Sequence, residues 1–288
     1  MTRAELARAL QVVDYGLRAP ATTHLPGYHR GLFHGAAGRL KGFTSLLHRM
    51  DPKSIDPVTT RRALSPVPLV RLYQAKVAIT VTALLDLSAS MGFAGRSRKM
   101  AEAAKLAACL AYSAYRLGDR FGLIGFGDGV ELFFPPKRSP DYPLEIGELL
   151  WSYAPESRTA DGLAQAVALV PRRRSLVFLV SDFHFGRATL DAALAALRPH
   201  DVVLTALWDD AEGADPLQAG WTEWADPETG ERARLWLRAG LRRRFRRAFE
   251  SRRAAITESA GRFGAEAIFV RNRFDPAELT RLFAARKG

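Results

Sequence analysis

A single cysteine, Cys109, occurs in the 288 residues, which excludes an internal disulfide and a cysteine-based four-ligand zinc site. It lies in an Ala/Leu-rich stretch and reads as a small buried hydrophobe rather than a reactive thiol. Long apolar runs are missing too. The uncharged apolar run Val77 to Leu85 is about half of the roughly 20 residues that a membrane-crossing helix needs. The first 30 residues hold no basic segment followed by an apolar one, so no secretion signal is read there. These two absences predict a cytoplasmic location. The chain has no Gly-x-x-x-x-Gly-Lys-Ser/Thr loop to cradle a nucleotide and no evident Ser-His-Asp or Cys-His set. Acidic residues are outnumbered, 30 Asp and Glu against 42 Lys and Arg, for a formal net charge of +12. Such a balance favours acidic partners, whether protein, nucleic acid or membrane surface.

Core-forming material is ample, with 48% apolar and 10% aromatic residues. Thr2 to Arg18 reads as a helix with Leu6, Leu10, Val13 and Leu17 on one face. From Ala19 to Pro68 glycine, proline and histidine are frequent and periodicity is weak, which predicts loops with a short strand or helix. The expected domains are therefore an N-terminal helix with an irregular extension over 1–75 and a main domain over 76–288. From Lys76 onward, strand patterns at 77–85, 121–126, 130–134, 175–181, 202–208 and 266–270 alternate with helical patterns at 97–117, 144–152, 160–169, 189–197, 240–262 and 276–285. This alternation predicts βαβ units in a mostly parallel sheet with helices on both faces. Gly127-Asp128-Gly129 suits a tight hairpin, because Asp-Gly tolerates positive φ, and supplies one antiparallel edge strand. A second hairpin, carrying Trp221, Trp224 and Trp236, is expected as an insertion at about 218–238.

The residues that carry chemistry begin at Asp86-Leu-Ser88-Ala-Ser90, where the apolar run ends. Three oxygen-bearing side chains at alternate positions past a strand end can turn toward one point, and hard cations such as Mg2+ take such oxygen ligands. The competing reading is that Asp86 or Ser88 caps the following helix. Two further segments bear on the choice. Ser175 to Phe183 is another apolar run ending in a carboxylate, Asp182, and Ser157-Arg-Thr159-Ala-Asp161-Gly162 opens a helical stretch with a free hydroxyl. In open α/β sheets the loops after neighbouring strands converge at the carboxyl ends, where ligands bind.

Asp86, Ser88, Ser90, Thr159 and Asp182 form a discontinuous set resembling the metal-ion-dependent adhesion site of von Willebrand factor A domains. By that resemblance Ser88, Ser90 and Thr159 touch a divalent cation directly, Mg2+ or else Mn2+ or Ca2+, while Asp86 and Asp182 hold it through water. The text around the motif narrows the resemblance. Asp86 to Phe93, Lys99-Met-Ala-Glu-Ala-Ala-Lys-Leu-Ala-Ala, Gly118 to Phe126, Ser181-Asp182-Phe183 and Asp226-Pro-Glu228-Thr229-Gly230-Glu231 resemble a bacterial von Willebrand A-like family, domain of unknown function 58 (DUF 58). Gly27-x-His29, Gly35, Gly38, Phe43 and Asp51 to Asp56 are similar to that family's upstream region, although Pro57 replaces its Trp and Lys53 its Arg. The resemblance implies a Rossmann-like three-layer sandwich that acts as a protein-interaction module beside a MoxR-type AAA+ ATPase in chaperone-like remodelling or maturation of other proteins.

A basic run supplies a candidate partner surface. From Arg238 to Arg253 eight arginines face the single acid Glu250. At helical spacing Leu241, Phe245, Phe249, Arg252, Ile256 and Phe263 form a mostly apolar stripe, leaving Arg242, Arg243, Arg246, Arg247 and Arg253 outward. That face is read as solvated, as a dock for an acidic protein, or as a nucleic-acid surface, although no aromatic interleaving accompanies the arginines. The enzymatic alternative is a Mg2+-dependent phosphoryl hydrolase with Asp86 as nucleophile and His184 as base. Ser88 then stands where that chemistry wants a second acid, so the chain is expected not to be an enzyme.

Overall fold

The computed structural model describes residues 7–8, 10–18, 26–35, 39–48, 52–212, 221–225, 232–236 and 239–286. The chain divides into two compact units, Leu17–Ile79 and Met1–Gly16 with Thr80–Gly288.

In the smaller unit β1 (Pro26–Gly35), β2 (Arg39–Ser45) and β3 (Leu69–Val77) form an antiparallel sheet in the order β1-β3-β2. The register slips between Pro26 and His29, between Arg30 and His34, and between Leu40 and Gly42. Each slip resets the two-residue alternation, which is why a segment with little visible periodicity nevertheless carries strands. The short helix α1 (Pro57–Arg62) begins with Pro57 in its first turn, where a missing N–H costs nothing. Asp56 caps it, accepting from the Val58 and Thr59 amides, and its other oxygen meets Arg71 Nε at 2.8 Å.

The larger unit is built on a six-stranded sheet of β4 (Thr80–Asp86), β5 (Arg120–Phe126), β6 (Val130–Lys137), β7 (Leu176–Ser181), β8 (Asp201–Trp208) and β11 (Glu266–Arg271). Its order is β11-β8-β7-β4-β5-β6, and every pair is parallel except β5 with β6. Strands β7 and β8 are buried throughout, as expected for strands covered on both faces. Edge strand β6 alternates exposed and half-buried positions and carries Pro135 and Pro136, which a central strand would not tolerate. The helices are α2 (Lys99–Leu117), α3 (Tyr142–Ser152), α4 (Leu163–Ala168), α5 (Arg187–Ala196), α6 (Ala239–Arg262) and α7 (Pro276–Ala285). Gly118, at φ 75, closes α2 in the left-handed conformation that glycine adopts without strain. On one face Leu84, Val177, Leu179 and Leu204 pack with Leu163, Leu190, Leu194 and Ile256 from α4, α5 and α6. On the other Phe178 meets Phe283 of α7 with ring centres 6.1 Å apart, and α2 lies against the sheet. The result is a three-layer α/β sandwich, with strands and helices within three residues of the positions that periodicity predicts. The expected second hairpin is also present, β9 (Trp221–Ala225) pairing antiparallel with β10 (Arg232–Trp236).

The helix expected over Thr2 to Arg18 is borne out only in part. Residues 7 and 8 are helical, residues 10–18 are not, and residues 1–6 and 9 lie outside the described residues. Val13 and Tyr15 are buried while Val12 and Asp14 are exposed, a two-residue period. Long-range partners explain the difference: Val13 N donates to Ser113 Oγ at 2.8 Å and the Tyr15 hydroxyl to Asp119 at 2.8 Å. Tertiary hydrogen bonds outweigh the weak helical preference of the segment.

Candidate metal centre

Chain order reverses at β4 and β7. These strands are neighbours, yet the chain continues from β4 to β5 on one side and from β7 to β8 on the other, which opens a crevice at their carboxyl ends. Asp86 closes β4, and its Oδ1 accepts from Ser88 N at 2.9 Å while its Oδ2 accepts from Ser181 Oγ at 2.6 Å. The Ser88 and Ser90 hydroxyl oxygens are 3.2 Å apart. Ala89 N donates to Ser157 O at 2.7 Å, tying this loop to the one that carries Thr159. Thr159 is placed in turn by the β5–β6 turn, since its amide and hydroxyl both donate to Asp128 Oδ1 at 2.9 Å. The two loops touch at Gly162, whose N donates to Gly127 O at 2.8 Å and where a Cβ would collide with the carbonyl of Gly129. Gly162→Ala is therefore expected to lower the unfolding free energy by about 1–3 kcal/mol in denaturant titration. Gly186→Ala, where a Cβ meets nothing within 4 Å, should shift it by no more than about 0.5 kcal/mol.

Asp182 follows β7 and is 1% exposed. Its Oδ2 accepts from Lys99 Nζ at 2.7 Å and its Oδ1 from His184 N at 3.2 Å. Lys99, the first residue of α2, is also 1% exposed; its ammonium donates to Ser90 O at 3.1 Å and pairs with Glu212. One buried cation thus joins the Asp86 loop, the end of β7 and the loop after β8. That last loop is held by Asp209, which accepts from the Ser97 amide at 2.7 Å and the Ser97 hydroxyl at 3.0 Å. Trp208 Nε1 donates to Asp182 O at 2.8 Å.

The charges follow from this arrangement. Burial raises the Asp86 pKa, the nearby Asp182 charge adds to the rise, and the group sits at about 6. Burial is the largest influence on Asp182 and would raise it as well, but the Lys99 and His184 charges and the hydrogen bonds from Lys99 and Ser90 together outweigh it and hold Asp182 down at about 2. For Lys99 burial works against the ammonium, yet Asp182 and Glu212 keep its pKa above the ordinary lysine value. Ligand atoms of Asp182, His184 and Glu212 also lie within 4.8 Å of one another, but two of these three groups are already engaged by Lys99.

All five residues named from the sequence, Asp86, Ser88, Ser90, Thr159 and Asp182, line one cavity of about 170 Å3, with Arg158, Asp161 and His184 beside them. Sequence reasoning missed Lys99, Ser181, Asp128 and Glu212. A lysine opening the apolar helix α2 was a signal for the first; the others depend on contacts distant in sequence. Of the basic surface, Arg243, Arg246 and Arg247 are exposed and make no ion pair among the described residues, whereas the side chain of Arg242 lies outside them. Within the α6 stripe Ile256 is buried and Phe249 meets Trp208 at a tilt, with ring centres 4.2 Å apart, but Arg252 is exposed.

An open α/β sheet with hydroxyls and carboxylates gathered at its switch point is the arrangement that the sequence resemblance to von Willebrand A-like domains implies. Residues 51–255 match the family described as "Protein of unknown function DUF58", and the chain belongs to it. A Paracoccus denitrificans protein described as "Uncharacterized protein in moxR 3'region" is 44% identical over 63 residues, 22% of this chain and 60% of that relative. The chain thus spans 60% of the length of the curated relative that it matches. Among solved structures, an aerotolerance-related membrane protein from Bacteroides fragilis aligns with a TM-score of 0.45 and 18% identity over 73% of this chain and 97% of its own. The SpRpn10 VWA domain aligns with a TM-score of 0.38 and 12% identity over 72% and 94%. The expected cytoplasmic location is corrected by these comparisons, since the Bacteroides fragilis match is to a protein described as a membrane protein. Among the described residues no helix is long and apolar enough to cross a membrane, but that absence does not define a compartment.

Proposed function

We propose that the chain is a metal-dependent protein-interaction module whose partner contributes an acidic side chain. The observation that carries this reading is the cavity in which five oxygen-bearing side chains from three separate loops meet. The donor set fits a hard divalent cation. Neighbouring ligands about 2.1 Å from an octahedral Mg2+ lie about 3.0 Å apart, close to the 3.2 Å between the Ser88 and Ser90 hydroxyls. Ser88, Ser90 and Thr159 would hold Mg2+, Mn2+ or Ca2+ directly, with Asp86 and Asp182 acting through water. When bound, the cation supplies a Lewis-acidic position open to a carboxylate from outside. The residues set its surroundings: Ser181 and the Ser88 amide fix Asp86, and Lys99 fixes Asp182 and offsets its charge. Both Asp86 oxygens accept hydrogen bonds and the residue is 1% exposed, which supports a ligand-orienting role over that of a nucleophile.

The partner in this reading is a MoxR-type AAA+ ATPase or a protein it remodels. The description of the Paracoccus denitrificans relative and the arginines of α6 that have no ion pair among the described residues both support it. Biolayer interferometry against a MoxR-type ATPase from the same organism tests the reading. Binding in Mg2+ should be abolished by EDTA and by Ser90→Ala, which removes one hydroxyl at a stability cost of only about 1 kcal/mol. The double variant Arg243→Glu/Arg247→Glu should slow association and flatten its salt dependence without affecting Mn2+ binding. Binding indifferent to EDTA would remove the metal from the function, and loss of affinity scaling steeply with salt for a DNA duplex instead would favour a nucleic-acid role.

A further inference from the structure

Beside the metal centre lies a concave surface that metal binding does not use. After Asp182 the chain passes through Phe183 at φ 56, a left-handed conformation uncommon for so bulky a residue, and on through Phe185 into α5. The two rings meet edge to face at 5.7 Å. Opposite them α6 presents Ala248, Ser251 and Ala255, which are too small to fill the space. A groove of about 400 Å3 therefore stays open between α5 and α6, floored by Phe183, Leu190 and Ile256, each less than 6% exposed. Phe185 lines this groove and also the metal-site cavity, so the two share a wall.

The edges of the groove are basic. Residues four apart share a helix face, so Arg244 and Arg252 stand one turn to either side of Ala248, and Arg247 stands one turn before Ser251. All three arginines are exposed and lack a carboxylate partner among the described residues. Arg187, on the α5 side, is already committed to Glu258 at 2.7 Å and Asp191 at 3.8 Å. Buried apolar side chains form the floor, and they reward an apolar side chain rather than a phosphate; the unpaired guanidinium groups above reward carboxylates.

We propose that this groove docks a partner segment in which a large apolar side chain is flanked by acidic residues. The apolar group enters between α5 and α6, and the acids meet Arg244, Arg247 and Arg252. The inference rests on the reading of the chain as a partner-binding module and narrows the partner to an acidic, apolar-anchored peptide. It also explains why Arg252 occupies a position in the apolar stripe of α6: the stripe is interrupted there because the groove is open to a ligand.

Panning a phage-displayed random dodecapeptide library on the full chain in Mg2+, with the enriched peptides then measured by fluorescence anisotropy, tests the proposal. Enriched peptides should carry Phe, Leu, Ile or Met beside Asp or Glu. Ser251→Trp, which fills the groove from an exposed position, should weaken their binding at least tenfold, and Arg244→Glu/Arg252→Glu should do the same, each with an unchanged unfolding temperature. Should Ser251→Trp unfold, Ala248→Trp fills the groove from another exposed position. Failure to enrich peptides, enrichment of sequences without the acid-apolar pairing, or indifference to both kinds of variant would overturn the proposal. Repeating the measurement in EDTA separates the two levels. Peptides that survive EDTA but fail with Ser251→Trp keep the groove and remove the metal, whereas peptides lost in EDTA but indifferent to Ser251→Trp keep the metal reading and overturn the groove.

Discussion

Lys99→Met is expected to lower the unfolding free energy by about 3–5 kcal/mol, the cost typical of removing one partner from a buried ion pair. Methionine preserves most of the side-chain volume, so the loss reports charge rather than a cavity. Without the ammonium, Asp182 keeps the His184 amide and the Ser90 side chain but no cation in place of Lys99, Glu212 keeps the Asp209 amide but loses its cation, and Asp86 faces an uncompensated neighbour. Guanidinium titration of wild type and variant measures the loss. The triple variant Lys99→Met/Asp182→Asn/Glu212→Gln removes all three charges together and should recover most of it, because a neutral cluster carries no buried unpaired ion. A single variant as stable as the wild type would mean that water reaches these carboxylates and that Lys99 is not the tie between the three loops.

A pH-dependent loss of stability is expected from Asp86. Its folded pKa, about 6, lies above the ordinary 3.8, so the folded state binds this proton more tightly than the unfolded chain does. The resulting stabilisation is fully present below about pH 4, fades as the pH rises through about 6, and is gone above it. The shift corresponds to about 3 kcal/mol as an upper bound. In EDTA the unfolding free energy of the wild type, taken relative to Asp86→Asn, should therefore fall by up to about 3 kcal/mol between about pH 4 and pH 8. Mg2+ competes for the ionised form, so it should restore stability at about pH 8 and have little effect at about pH 4. A flat difference between the two proteins would place the Asp86 pKa near its unfolded value and mean that neither burial nor the Asp182 charge weighs on this carboxyl.

The larger unit was legible because its patterns are local. The continuous burial of β7 and β8, the Asp-Gly turn between β5 and β6, and the helical spacing of α6 and α7 each occupy fewer than 25 consecutive residues. The smaller unit was read as irregular because three register slips break the alternation on which strand recognition depends. Residues 10–18 failed for the opposite reason. Leu10, Val13 and Leu17 have helical spacing, but Ser113 and Asp119, about a hundred positions away, hold the segment extended.

The sequence by itself determined the order of strands and helices, the identity of the oxygen-bearing residues and the basic character of α6, since each is written in residues that are neighbours along the chain. Tertiary structure alone decided that Lys99 would neutralise Asp182 across 83 residues, that Thr159 would be positioned by Asp128, and that the small residues of α6 would leave a groove against Phe183 and Leu190. Electrostatic pairing and packing depend on distance in space, and chain order constrains that distance only after the sheet has placed β4, β7 and β8 side by side.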